Sequence, residues 1–83
     1  MAVRFHPHAS ERMKERGATE EEVKAALEGG EQFSAQFGRT GFRRNFHFDR
    51  LWRGKHYPTK QIEVYAVREG ECWLAITVIT RYF

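Results

Sequence analysis

The apolar positions change period at Gly30. Ahead of it, Ala9 and Met13, then Val23, Ala26 and Leu27, recur at helical spacing; beyond it, apolar and polar residues alternate with a period of two. Pro7 suits a first helical turn and Gly17 the left-handed position just past a helix end, so residues 7–16 are predicted as one helix. A second follows from "TEEE", a capping box in which Thr19 and Glu22 satisfy each other's backbone N–H groups, and it stops at Gly29-Gly30. Strands are predicted at "QFSAQF", "FRRNFHF", "QIEVYAV" and "CWLAITVIT", with "GRTG" and "REGE" as turns. In "FRRNFHF", Phe42, Arg44, Phe46 and Phe48 share one side, and Arg43, Asn45 and His47 the other. The stretch "DRLWRGKHYPTK" is the least regular and reads as a long connection, with a strand start near Trp52 as the alternative. The expected architecture is α+β: two N-terminal helices packed on one face of a twisted antiparallel sheet of about four strands. The other face stays partly open, which is where a ligand would sit.

Size narrows this picture. Eighty-three residues make one domain, 1–83, and a chain this short buries only roughly 60–65% of its unfolded surface. No window reaches the roughly 18 apolar residues of a membrane span, and the first residues lack a signal-peptide core, so a cytoplasmic protein with no membrane partner is expected. The single cysteine, Cys72, lies in an apolar run beside Trp73 and reads as a small packed hydrophobe.

Charge changes the picture more. Residues 1–32 carry five basic side chains against seven acidic ones, whereas residues 39–60 carry seven basic against Asp49 alone. Such asymmetry points to a polyanionic partner, nucleic acid above all, although basic loops are often simply solvated.

Two constellations suit that partner. On a helix, His8, Arg12 and Arg16 fall at successive turns and border the side that holds Ala9 and Met13. Partly desolvated guanidinium groups there would grip phosphate. The same spacing equally suits an Arg12–Glu15 pair and an Arg16 that caps its own helix. The second is the basic segment itself, where Arg43, Arg44, Lys55 and Lys60 would hold phosphate while Trp52, Tyr57 and Tyr65 stack bases. Imidazole suits acid–base work at neutral pH, so His8 and His47 would supply the base and acid of a metal-free RNA cleavage. No metal site or cofactor is expected, since no three ligands stand at a recognisable spacing. Glu63, between Ile62 and Val64, is the one carboxylate oddly placed; a cross-strand Arg or Lys would explain it.

The stretch "FHPHASERMKERGATEEEVKAALEGGE" resembles the opening signature of a small bacterial family, domain of unknown function 4258: His-Ala, Arg four on, a second Arg before Gly, then a capped helix. "AITVITRYF" is similar to that family's closing strand. The family is generally placed near the RelE-like toxins, small ribonucleases with two helices on an antiparallel sheet. The resemblance implies an RNA substrate, no metal and often an antitoxin partner, and it points to His8, Arg12, Arg16 and Thr77. The leading expectation is an RNA-binding protein that cleaves RNA without metal, with His8, His47 and Thr77 catalytic. The alternatives are a non-catalytic module that docks on nucleic acid or protein through residues 39–60, and a homodimer that buries the sheet.

Overall fold

Both helices form where their caps place them. In the computed structural model, which describes residues 2–83, α1 spans Pro7–Arg16 and α2 spans Glu20–Gly29. The His6 ring accepts from the His8 N–H ahead of α1, and Gly17 ends that helix at φ 74. Thr19 and Glu22 make the reciprocal capping box, which leaves three glutamates at the positive end of α2.

The sheet departs from expectation. A strand, β1 (Ala2–Phe5), precedes the helices and pairs parallel with the last strand, Ala2 against Cys72 through Phe5 against Ala75. With β2 (Glu31–Ser34), β3 (Thr40–Trp52), β4 (Lys55–Glu69) and β5 (Cys72–Tyr82), the sheet has five strands in the order β1-β5-β4-β3-β2. The expectation of two leading helices on a four-stranded antiparallel sheet is therefore corrected to a mixed sheet whose first strand comes before the helices. "AVRF" is too short for its alternation to register, and what makes it a strand is a partner seventy residues away.

One face of this sheet carries the core. Ala9 and Met13 of α1 and Val23, Ala26 and Leu27 of α2 pack on Phe42, Ile62, Val64, Ala66, Ala75 and Val78. A bulge in the β4–β5 ladder at Tyr65/Ala66 lets both Ala75 and Val78 face the helices, so the strict alternation read along β5 breaks at Ile76.

No irregular connection follows β3. The segment 49–60 is the distal half of a long β3–β4 hairpin, closed by Arg53 and Gly54, both at positive φ. A second bulge, between His47 and Arg50 with Asp49 at φ 46, bends this arm. The turn between β2 and β3 centres on Phe37-Gly38, so it takes in only the start of "GRTG", and Thr40 and Gly41 lie inside β3. The arm lengthens the molecule to 40 × 24 × 23 Å.

Candidate nucleic-acid interface

The bent arm interleaves rings and cations. The Arg50 guanidinium lies 4.9 Å from the Phe48 ring centre, Arg53 5.1 Å from Trp52, and Lys55 Nζ 5.5 Å from Tyr57. Tyr82 of β5 gathers the rings: Trp52 stacks on it at 4.8 Å, and Phe48 and Tyr57 tilt against it at 5.2 and 5.7 Å. Arg53 Nη2 donates to the Glu15 carbonyl at 2.9 Å, which ties the tip of the arm to the end of α1. Across the arm, Asp49 Oδ1 and His56 Nε2 stand 2.6 Å apart in solvent. Arg50, Arg53, Lys55 and His56 are all exposed.

The open face of the sheet holds a different cluster. Glu63 is 2% exposed, yet it is surrounded by donors: Arg43 Nε at 3.0 Å, Arg81 Nη1 at 2.9 Å, and the Tyr65 hydroxyl. Burial would push this carboxyl up, but the hydrogen bonds from Tyr65, Arg43 and Arg81 outweigh it and hold the group below the ordinary carboxylate range. The bond to Glu63, followed by burial, raises the Tyr65 phenol. Arg43 stands directly opposite Glu63 in the β3–β4 ladder, the cross-strand partner its sequence position called for. Beside Tyr65, a cleft of about 410 Å³ opens between the β2–β3 turn and Thr77.

The residues singled out in the sequence divide between these places. Lys55 sits on the arm. Lys60 is 3% exposed and turned under it, with its ammonium donating to the Gly17 carbonyl and, at 2.8 Å, to Glu22. Arg12 pairs with Glu15 at 3.1 Å, and Arg16 donates to the Val78 carbonyl of β5 at 2.8 Å. Arg44 reaches the Ala25 carbonyl of α2, on the opposite side of the sheet from Arg43. His8 is exposed at the start of α1 on the helix side, while His47 and Thr77 belong to the open face, so the sheet separates His8 from the other two. Sequence reasoning passed over Arg50, Arg53, Arg81, Phe37 and the Asp49–His56 pair. The charge count of segment 39–60 contained the signal for the first two; the rest depend on pairing across strands.

A small α+β domain with helices on one face of a mixed sheet, a polar opposite face and a cationic-aromatic arm is the class these features define. Residues 5–82 match the model of the family described as Domain of unknown function (DUF4258), and the chain belongs to that family. Searches of curated proteins and of solved structures give no match. Among the described residues, no helix is long and apolar enough to cross a membrane.

Proposed function

We propose that this protein binds single-stranded RNA along the β3–β4 arm. The observation that carries this reading is the alternation of Arg50, Arg53 and Lys55 with Phe48, Trp52 and Tyr57 on one bent hairpin. Cations that track a phosphate backbone, interleaved with rings that stack bases, are what sequence-tolerant single-strand binding requires. Kinship with RelE-like toxins is part of this proposal: it makes RNA the strand and a small antitoxin protein the partner to seek by co-purification. Arg12, Arg16, Arg43 and Lys60, buried or half-buried, bond within the protein and hold the interface's shape, whereas Arg44 and Arg53 each donate to a helix carbonyl yet stay exposed. Anisotropy with a labelled single strand over a salt series tests the arm. Arg50→Ala with Lys55→Ala should weaken binding and lower the log–log salt slope by about 1.4, since each phosphate contact on a single strand contributes about 0.7. An unchanged slope removes the arm from the interface.

A second reading, metal-independent cleavage, is favoured by the Asp49–His56 pair, an imidazole oriented by a carboxylate among cations. His56 takes the proton of a 2′-hydroxyl, whose oxygen attacks the adjacent phosphorus. The bond to the 5′ oxygen breaks, and water protonates that leaving oxygen. Labelled RNA incubated in EDTA should then yield 2′,3′-cyclic ends that disappear in His56→Ala. His8→Ala, His47→Ala and Thr77→Ala are the companion variants. Intact RNA in EDTA leaves binding alone as the function.

A further inference from the structure

Phe37 stands where an aromatic residue gains least for the fold. It forms the centre of the β2–β3 turn with Gly38, at φ 61 and 69, and is 86% exposed. Two consecutive positive φ angles suit Asn, Asp or Gly at the first position. Phenylalanine there accepts backbone strain and buries almost nothing, and such outliers concentrate at ligand sites. The turn borders the cleft of about 410 Å³, within the roughly 300–1,000 Å³ of small-molecule sites. Phe33 floors it: its ring lies over Gly41, where any Cβ would collide with it, and meets Tyr65 edge-on, with centroids 6.1 Å apart. The Tyr65 side chain lines the cleft, and its hydroxyl donates to Glu63, which leaves the oxygen's lone pairs to accept. Thr77 adds a second hydroxyl and Arg39 a cation.

Flat apolar walls, two hydroxyls and one guanidinium match a heterocyclic base that carries a phosphate. We infer that the cleft takes one nucleobase of the RNA strand, stacked on Phe37, with its edge read by Tyr65 and Thr77 and its phosphate on Arg39. This rests on the RNA-binding reading but uses a place separate from the arm, near the opposite end of β3.

An NMR titration with nucleoside 5′-monophosphates at millimolar concentration tests it. Phe33, Phe37, Tyr65 and Thr77 should shift together. Phe37→Asn keeps the turn and removes the ring, and should weaken mononucleotide binding about tenfold or more. Lys14→Ala, on the exposed side of α1, should leave that binding unchanged. If labelled RNA binds the arm while the cleft resonances stay still, the cleft is overturned and the arm stands. Shifts that survive Phe37→Asn undiminished also overturn it. Mononucleotide binding in a protein that retains no RNA overturns RNA as the source of the base.

Discussion

Glu63 keeps its charge under 2% exposure because three donors converge on it, two of them cationic. Its folded pKa lies below its unfolded value, so its contribution to stability is fully present above the unfolded carboxylate range, near pH 4.3. That contribution fades as pH falls from there through the lower folded value. Glu63→Gln should therefore cost about 1.5–3 kcal/mol at neutral pH and flatten the acid side of the stability curve, as read by urea unfolding between pH 3 and 7. Thr80 presents the opposite case: its hydroxyl is buried with no partner. Thr80→Val keeps the shape and removes the unmet oxygen, and should raise stability by about 1 kcal/mol in the same assay. Phe37→Asn, which relieves a left-handed aromatic residue, should also stabilise the fold, by about 1 kcal/mol.

At the scale of elements, what is coded within a few residues could be read directly. Pro7, Gly17, Thr19 and Glu22 set both helices because caps act over three or four positions. The inward faces of β3 and β4 followed from simple alternation, and so did the partner of Glu63. The illegible parts share one cause: long-range pairing decides them. β1 exists because β5 offers an edge, and the arm looked irregular because the Asp49 bulge shifts its alternation. Arg-Gly at its tip lacks the Asn or Asp that usually announces such a turn. The candidate site suffered likewise. Segment 39–60 was visible as charge, but the helix row His8, Arg12 and Arg16 looked freer in sequence than it is, since Val78 and Glu15 occupy both arginines. Gly17 joins these levels: it needs φ 74, and a Cβ there would stand 2.7 Å from the Trp52 ring. Gly17→Ala should cost at least about 1–2 kcal/mol and speed amide exchange along the arm, because helix cap and arm share that contact.

Over the whole molecule, charge and shape run together. The acidic first turn of α2 caps one part of the helix layer, whereas the arm projects the basic excess along the 40 Å axis. A polyanion approaching such a distribution is steered to the arm, and this steering weakens with salt. The position of β5 also governs the order of assembly during synthesis. It is made after the other four strands of the sheet, yet it lies between β1 and β4 and forms the floor under α1. A nascent chain halted before Cys72 has made β1 and α1 without the surface that receives them, and Ala9 and Met13 stay in water until that strand clears the ribosome. β1 and α1, made ahead of the other elements described, are thus secured only when β5 arrives, and until then their apolar side chains stay open to chaperones and proteases.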